Sequence, residues 1–418
     1  MSFYEIQGGR RLEGELTIQG AKNSVLPILS AALLAPGESV IHNCPDLSDV
    51  NATIEILRLL GCRVKREGNT VTVDASAPVG VCVPDDLMRE LRSSVIFLGA
   101  LLARMGEAVL SFPGGCDLGP RPIDLHLMAL GLLGAQIWEE QGALHCRGGA
   151  SLRGGEICLP LPSVGATENA MLAACGCPGV TSIVGAAREP EIVDLQNFLR
   201  SMGAEVSGAG ESVITVCGGH GLHPTEYTVM GDRIAAATYL AGTAAAGGQV
   251  RLSGVESGHL ATVLAVLEAA GCRIHTGNGS ILLSGTGRLR GVRPIRTGPY
   301  PGFPTDAQAL LMAALAGGTG STMFVENMFD SRYRHVDELA RMGADIQTNG
   351  RVAVVYGVNG LHGASVRSTD LRGGAALVVA ALGAAGVTQV HDLRHIRRGY
   401  DRLDVGLNAL GAEIKLVS

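Results

Sequence analysis

One glycine- and proline-rich segment holds the residues whose types and spacing point most directly to chemistry. Between Phe112 and His126, two glycines come directly before Cys116, and Arg121 and Asp124 follow within eight residues. Glycine adopts backbone angles that other residues avoid, and proline fixes its own angle and lacks an amide hydrogen. We therefore expect an exposed loop that carries a thiol, a guanidinium and a carboxylate.

The thiol of Cys116 is the first candidate catalytic group. A fixed positive charge stabilises a thiolate, so a thiol close to Arg121 can lose or donate a proton near neutral pH. Cysteine is usually buried in proteins, and its position on a Gly/Pro loop favours a functional role. The alternative is a surface turn that happens to contain a cysteine.

A short sequence pattern recurs six times and indicates the secondary-structure elements that must position this loop. Each copy is a helical run ending in an apolar residue, then Gly, then Ala or Cys, then any residue, then Val or Ile. The glycines are Gly61, Gly134, Gly203, Gly271, Gly343 and Gly411, spaced 68 to 73 residues apart. Each glycine is expected to be a left-handed cap that turns a helix into a strand. Such even spacing indicates internal repeats.

Six apolar helices recur with the same period and predict an α/β fold. They start near Lys22-Asn23, Arg92-Ser93-Ser94, Ser163-Val164-Gly165, Asp232-Arg233, Thr305-Asp306 and Asp370-Leu-Arg372. A helix without a polar face is expected to be buried, with sheets around it. The simplest arrangement is six βαβ-type repeats, three per domain.

The repeats predict two domains, as expected for 418 residues. The first domain spans 22–229 and carries the Cys116 loop, and the second combines 1–21 with 230–418. The N-terminal strand, from Tyr4 to Gly20, returns to join the second domain. Two chain crossings would permit hinge closure over a cleft, and helix N-termini that carry Lys or Arg would attract anions there.

Composition excludes several classes of function. The net charge of −6 and the lack of basic runs argue against a nucleic-acid surface. The ten cysteines are scattered without a Cys-x-x-Cys pair, which predicts reduced thiols and no metal site. The N-terminus shows no signal pattern, and Gly373 to Val390 predicts a buried helix, a turn and a strand. We expect a cytoplasmic protein with no membrane or nucleic-acid partner.

Seven segments resemble the UDP-N-acetylglucosamine 1-carboxyvinyltransferase family of enolpyruvyl transferases. They occur in the family's order from the first strand to the last helix. They are Gly20-Ala-Lys-Asn-Ser24, Pro113-Gly-Gly-Cys116, Gly119-Pro-Arg-Pro-Ile-Asp-Leu-His126, Ser163-Val-Gly-Ala-Thr167, Ala187-Arg-Glu-Pro-Glu-Ile-Val-Asp194, Pro301-Gly-Phe-Pro-Thr-Asp306 and Arg398-Gly-Tyr400. The resemblance implies a two-domain inside-out α/β barrel with buried helices. It also implies transfer of enolpyruvyl from phosphoenolpyruvate to the 3-hydroxyl of UDP-N-acetylglucosamine, with release of phosphate.

The resemblance implies roles for the matching residues. Cys116 would be the general acid, also able to form a covalent adduct, and Asp306 the base acting on the 3-hydroxyl. Phosphoenolpyruvate would be bound by Lys22, Asn23, Arg121 and Arg398, of which Lys22 and Arg398 also count as catalytic. UDP-N-acetylglucosamine would be bound by Arg92, Arg121, Pro122, Ile123, Asp124, Leu125, Ser163, Val164, Gly165, Asp306 and Met328. Arg332 and Arg372 match positions that add positive charge or bridge the domains.

No metal or organic cofactor is indicated, since Lys and Arg alone can neutralise the substrate charges, and phosphoenolpyruvate is a co-substrate. No obligate protein partner is implied. Without the resemblance, several site residues have plainer interpretations. Lys22 would be a surface lysine, Asp306 a helix cap, Arg398 part of a solvated basic patch and Met328 a core residue. Arg92 would be an ordinary arginine at a helix start.

Two other functions remain as alternatives. The sister transferase that acts on shikimate 3-phosphate shares the expected fold, but it lacks the Pro-Gly-Gly-Cys loop and has a different first-helix motif. A non-catalytic protein that senses UDP-sugars is the second alternative. Such a protein would not need both an acid and a base, which this sequence retains.

Overall fold

The computed structural model describes residues 2–83, 92–111 and 123–417, and of Arg92 and Ser93 only the backbone. The chain forms two compact units. The first unit contains the described residues between 20 and 230, and the second contains 2–19 together with 231–417. The nine cysteines within the described residues are free thiols.

The N-terminus contributes two strands to the second unit, β1 (Phe3–Gln7) and β2 (Leu12–Thr17). The first unit then follows. Its helices are α1 (Lys22–Ala31), α2 (Ser48–Leu59), α3 (Phe97–Met105), α4 (Asp124–Leu132), α5 (Val164–Gly176) and α6 (Pro190–Ser201). Its strands are β3 (Glu38–His42), β4 (Arg63–Glu67), β5 (Thr70–Asp74), β6 (Cys82–Val83), β7 (Glu107–Ser111), β8 (Gln136–Glu140), β9 (Ala143–Arg147), β10 (Glu156–Cys158), β11 (Gly179–Val184), β12 (Glu205–Ser207), β13 (Val213–Gly218) and β14 (Glu226–Thr228).

The second unit repeats this pattern. Its helices are α7 (Arg233–Ala246), α8 (Ala261–Ala270), α9 (Thr305–Ala316), α10 (Val336–Arg341), α11 (Leu371–Gly383) and α12 (Leu403–Ala409). Its further strands are β15 (Gly248–Ser253), β16 (Arg273–Gly277), β17 (Ser280–Gly285), β18 (Ile295–Arg296), β19 (Ser321–Val325), β20 (Asp345–Asn349), β21 (Val352–Tyr356), β22 (Ser365–Arg367), β23 (Val387–His391) and β24 (Glu413–Val417). Among the described helices, each is too short or too polar to cross a lipid bilayer.

Each unit contains three four-stranded sheets within its described residues. In the first unit the strand orders are β14-β3-β5-β4, β6-β7-β9-β8 and β10-β11-β13-β12. In the second they are β22-β23-β1-β24, β16-β17-β15-β2 and β18-β19-β21-β20. In β6-β7-β9-β8, the pair β6–β7 is parallel and flanks α3, and β8 and β9 add an antiparallel hairpin. The repeat is therefore a βαβ unit extended by a second helix and a hairpin.

The apolar helices are buried as predicted. Every residue of α9 from Ala307 to Ala316 is buried, and α3, α5, α7 and α11 are likewise mostly buried. Helices with apolar side chains on all faces cannot face water, so they lie inside each unit and the sheets cover them. The second predicted helix differs slightly, since Arg92–Ile96 form a 3₁₀ turn before α3.

The six repeat glycines have the predicted left-handed conformation, with φ between +88° and +114°. Each follows one of α2, α4, α6, α8, α10 and α12, and a strand begins two residues later. A residue with a β-carbon is strained at these angles, which explains why glycine recurs there.

The prediction of one N-terminal strand from Tyr4 to Gly20 is wrong. The segment forms β1 and β2 in two different sheets, with Gly9 at φ +78° in the turn between them. A β-carbon on Gly8 would lie 2.2 Å from the carbonyl oxygen of Ala384, so the backbone approaches α11 closely at the bend. β1 pairs with β23 and β24, whereas β2 pairs with β15.

Candidate active site

Lys22 is a buried cation at the start of α1. It is 8% exposed, and its Nζ lies 2.5 Å from Oδ2 of Asp49, itself 4% exposed. The surface-lysine interpretation is therefore wrong, because a lysine of this exposure is buried with a counter-ion. The neighbouring Asn23 is exposed. Asp49 was not anticipated from the sequence, since only the packing of α2 against α1 brings it to Lys22.

The start of α5 carries the predicted residues Ser163, Val164 and Gly165, all partly exposed. Ser163 is the N-cap, and its hydroxyl accepts a hydrogen bond of 3.4 Å from the amide of Ala166. The first amide groups of a helix lack partners within the helix, and together with the helix dipole they favour anions. This end of α5 is chemically suited to a diphosphate.

The start of α4 lies beside the start of α5. The predicted residues Ile123, Asp124 and Leu125 lie where α4 begins, with Asp124 exposed. The next residue, His126, is buried, and a β-carbon on Gly165 would lie 2.8 Å from its Cε1. The structure thus brings together two segments that were predicted to contact the nucleotide sugar.

A buried carboxyl group, Glu168, lies in α5 one turn after Val164. Burial raises its pKa well above the ordinary value, and the carboxylates of Glu191 and Glu189 raise it further. Sequence analysis missed this residue, although an acidic residue inside an apolar helix is itself a signal.

Replacing Glu168 by Gln should change how stability depends on pH. Above pH 4.5 the native chain keeps a proton that the unfolded chain has lost, so wild-type stability falls as pH rises. Gln cannot ionise, and we expect the variant to gain stability relative to wild type as pH rises from 4.5. Denaturant unfolding across pH measures this difference. Glu205→Gln, at an exposed glutamate, is the control. The prediction is contradicted if the stability difference between Glu168→Gln and wild type depends on pH no more than the difference between Glu205→Gln and wild type.

In the second unit, Asp306 is held by two buried arginines. Arg332 Nη2 donates to Oδ1 at 2.8 Å, and Arg372 Nη2 donates to Oδ2 at 3.0 Å. The two arginine residues are 2% and 3% exposed, whereas the Asp306 side chain is 29% exposed. The helix-cap interpretation is wrong, because no side chain caps α9.

The arginine pair orients a carboxylate group that is partly exposed. A carboxylate accepts several hydrogen bonds, and each arginine donates one to a different oxygen of Asp306. Because the side chain of Asp306 is partly exposed, a bound hydroxyl group can approach it. The opposite charges compensate for burying the guanidinium groups.

The segment around Arg398 connects to Asp306 through hydrogen bonds. Arg372 Nη1 donates to the hydroxyl of Tyr400 at 3.1 Å, and this hydroxyl lies 2.8 Å from Thr238 Oγ1. Arg398 is half-buried at the end of the 3₁₀ turn Ile396–Arg398, two residues before Tyr400. Two other arginines of the same short segment, Arg394 and Arg397, are exposed.

Glu326 links Met328 to the start of α9 and was missed from the sequence. Its buried carboxylate accepts hydrogen bonds from the amide of Met328 at 2.8 Å and from the hydroxyl of Thr305 at 3.0 Å. Met328 is 38% exposed, so the core interpretation is wrong. An isolated acidic residue at the end of an apolar strand is the signal that could have indicated Glu326.

Four predicted site residues cannot be placed. Cys116, Arg121 and Pro122 lie outside the described residues, as does the side chain of Arg92. Among the residues that are described, no group of three His, Cys, Asp or Glu side chains could hold a metal ion.

This fold and these residues agree with comparisons that place the chain among the enolpyruvyl transferases. The chain belongs to the EPSP synthase (3-phosphoshikimate 1-carboxyvinyltransferase) family, whose family model matches residues 6–404. The solved enolpyruvyl transferase NikO of Streptomyces tendae superposes with a TM-score of 0.89 at 28% identity, over 100% of this chain and 99% of NikO. EPSP synthase of Acinetobacter baumannii gives a TM-score of 0.74 at 21% identity, over 100% of both chains, and shows the fold alone.

Two curated relatives are more similar in sequence to this chain than these solved structures are, and both carry the name of one particular enolpyruvyl transferase. The chain is 50% identical to UDP-N-acetylglucosamine 1-carboxyvinyltransferase 2 of Caldanaerobacter subterraneus, over 99% of both chains. It is 49% identical to UDP-N-acetylglucosamine 1-carboxyvinyltransferase 1 of Symbiobacterium thermophilum, over 99% of this chain and 95% of the relative. The resemblance inferred from the motifs and the predicted enolpyruvyl-transferase fold are both confirmed.

Proposed function

We propose that this protein transfers the enolpyruvyl group of phosphoenolpyruvate to the 3-hydroxyl of UDP-N-acetylglucosamine and releases phosphate. The observation that carries the proposal is the partly exposed carboxylate of Asp306, oriented by two buried arginines. The sugar nucleotide is inferred from the relatives that share half of the sequence. As the first committed step of peptidoglycan synthesis, the reaction supports cell-wall growth, cell shape and division. Because both substrates are cytoplasmic metabolites, we place the protein in the cytoplasm.

The proposed reaction is an addition followed by an elimination. Asp306 takes the proton of the sugar 3-hydroxyl while the oxygen of that hydroxyl forms a bond to C2 of phosphoenolpyruvate, and Cys116 donates a proton to C3. The thiolate of Cys116 then takes back a proton from C3 of the tetrahedral adduct, the C2–O bond to phosphate breaks, and the proton held by Asp306 leaves with the phosphate. No oxidant or reductant is needed, and neither a metal nor an organic cofactor is part of the proposal.

Cations and helix ends bind the charged substrates in this proposal. Lys22, Asn23, Arg121 and Arg398 bind the phosphate and carboxylate of phosphoenolpyruvate, since charge-assisted hydrogen bonds are the strong ones. The starts of α4 and α5, with Arg92 and Met328, bind the nucleotide sugar. We assign one enolpyruvyl-transferase domain to 22–229 and the other to 1–21 with 230–418.

Two alternative functions, transfer to a different acceptor substrate and sensing without catalysis, are less well supported. Transfer to shikimate 3-phosphate would agree with the family's name, but a solved EPSP synthase shares only 21% of its sequence with this chain. A UDP-sugar sensor would bind the nucleotide without turnover.

A phosphate-release assay separates these functions. Purified protein with phosphoenolpyruvate should release phosphate when UDP-N-acetylglucosamine is added and not when shikimate 3-phosphate is added. Release with shikimate 3-phosphate alone would identify the sister activity. Binding of the nucleotide sugar without phosphate release would identify a sensor.

Replacing Lys22 by Met should raise the KM for phosphoenolpyruvate about 10- to 100-fold, because a hydrogen bond to a charged group contributes about 1.5–3 kcal/mol. It should also lower stability, since Asp49 would remain buried without its counter-ion. Phosphate release at varied phosphoenolpyruvate and denaturant unfolding measure the two effects.

A double variant separates affinity from stability. Lys22→Met with Asp49→Asn removes both charges and should regain stability without regaining affinity for phosphoenolpyruvate. Lys65→Met is the matched control, because Lys65 pairs with Glu67 at the surface of the same unit. A normal KM in the stable double variant would remove Lys22 from the phosphoenolpyruvate site.

A further inference from the structure

Asn169 is a fully buried polar residue that joins three segments of the first unit. Its Oδ1 accepts a hydrogen bond of 2.7 Å from the amide of Gly99 in α3. Its Nδ2 lies 2.9 Å from the carbonyl oxygen of Val95 and 2.7 Å from Nδ1 of His126. Both side-chain polar atoms of Asn169 therefore have partners, although it belongs to the apolar helix α5.

These contacts determine the orientation of the Asn169 amide. The backbone amide of Gly99 is only a donor and the carbonyl of Val95 is only an acceptor. The side-chain oxygen must therefore face Gly99, and the NH₂ group must face Val95 and His126. Since the NH₂ group only donates, Nδ1 of His126 must be the acceptor.

We propose that Asn169 is a positioning residue that keeps the proton of His126 on Nε2 and holds this N–H at the start of α5. In a neutral imidazole one nitrogen is a donor and the other an acceptor, and the partner of one nitrogen fixes the role of the other.

The position of the His126 ring explains why its tautomer matters. A β-carbon on Gly165 would lie 2.8 Å from Cε1 and 3.1 Å from Nε2 of His126, so the donor edge of the ring packs against Gly165. Gly165 belongs to the segment proposed for the nucleotide sugar, and the inference rests on that proposed function. Burial lowers the pKa of His126 to about 4, against the opposing charge of Asp124, which agrees with a neutral ring.

Asn169 lies where α3 and α5 approach each other closely. A β-carbon on Gly99 would lie 2.4 Å from the carbonyl oxygen and 2.8 Å from Oδ1 of Asn169. Burying an amide is unfavourable unless its hydrogen bonds are satisfied, and Gly99, Val95 and His126 satisfy those of Asn169. The hydrogen bonds to Val95 and His126 connect the 3₁₀ turn that begins at Arg92 with the start of α4.

The first test measures the tautomer in the full-length wild-type protein. Nitrogen-15 NMR of the imidazole groups, with His126→Gln used to assign the signal, should show Nε2 protonated and Nδ1 unprotonated. A proton on Nδ1 of His126 would overturn the proposal, and the tautomer itself is observed in the wild-type protein.

The second test uses Asn169→Asp, which keeps an acceptor for Gly99 but replaces the NH₂ group by a second acceptor. We expect the proton to move to Nδ1 of His126 and the KM for UDP-N-acetylglucosamine to rise roughly 10- to 100-fold, with a smaller change in kcat. Asn51→Asp, at an exposed asparagine of α2, is the control and should leave both the tautomer of His126 and the KM for UDP-N-acetylglucosamine unchanged. An unchanged tautomer and KM in a folded Asn169→Asp protein would refute the proposal.

A double-mutant cycle shows whether Asn169 acts through His126. In a His126→Gln background, Asn169→Asp should lose most of its effect on KM, because the imidazole that it positions is absent. Equal effects in both backgrounds would mean that Asn169 acts only on packing. If wild-type protein shows no turnover with UDP-N-acetylglucosamine, the proposed function fails while the tautomer assignment is still decided by NMR.

Discussion

Asp306→Asn is expected to slow phosphate release about 10²- to 10⁴-fold, the usual contribution of a general base, while UDP-N-acetylglucosamine still binds. Asparagine has nearly the same shape as aspartate, but it cannot accept the proton of the 3-hydroxyl. Its side-chain oxygen can still accept a hydrogen bond from one of the two arginines. Calorimetric titration with the nucleotide sugar measures binding, and the phosphate assay measures turnover.

The arginines give the Asp306 variant a second expected effect. Arg332 and Arg372 are almost fully buried, and a neutral amide compensates their charges less well than a carboxylate. Stability should therefore fall, and denaturant unfolding separates this loss from the loss of catalysis.

Asp330→Asn is the matched control for this prediction. Asp330 pairs with Arg351 at 2.5 Å in the same unit, but both side chains are largely exposed. Exposed ion pairs contribute about 0–1 kcal/mol, so this variant should keep both stability and turnover. Near-normal turnover in a folded Asp306→Asn protein would exclude Asp306 as the base.

Cys116→Ala is expected to reduce phosphate release by a similar factor, about 10²- to 10⁴-fold, because alanine cannot donate a proton to C3 of phosphoenolpyruvate. Alkylation of the thiol, or its attack on an epoxide inhibitor, should inactivate the wild type. UDP-N-acetylglucosamine should accelerate this inactivation, since substrate binding commonly draws catalytic segments onto the ligand.

Other thiols make a control necessary for the alkylation experiment. Cys82 and Cys158 are exposed and free, and alkylating reagents will also reach them. A Cys82→Ala, Cys158→Ala protein should remain active and remain sensitive to alkylation, whereas Cys116→Ala should show no further loss on treatment. Full turnover by Cys116→Ala would remove this thiol from the mechanism.

The local features of this fold were predictable from the sequence. The glycine caps and the six helix starts depend on backbone preferences of a few adjacent residues, such as Asp232, whose side chain accepts hydrogen bonds from the amides of Ile234 and Ala235. Burial of the central helices followed from their apolar composition, because no polar face remains to meet water. The candidate residues Lys22, Asp306 and Arg398 were likewise found from local motifs.

Contacts between distant segments were decided only by the tertiary structure. Asp49 lies 27 residues from Lys22 in the sequence, and the two arginines on Asp306 come from positions 332 and 372. The separation of β1 from β2, and the contacts of Asn169 with α3 and α4, likewise require packed helices and paired strands. The sequence by itself determined several candidate residues for chemistry and, apart from the 3₁₀ turn at Arg92, where the six apolar helices begin, because those properties are local. Which buried charge meets which partner depends on how remote elements pack, and short-range preferences carry no information on that packing.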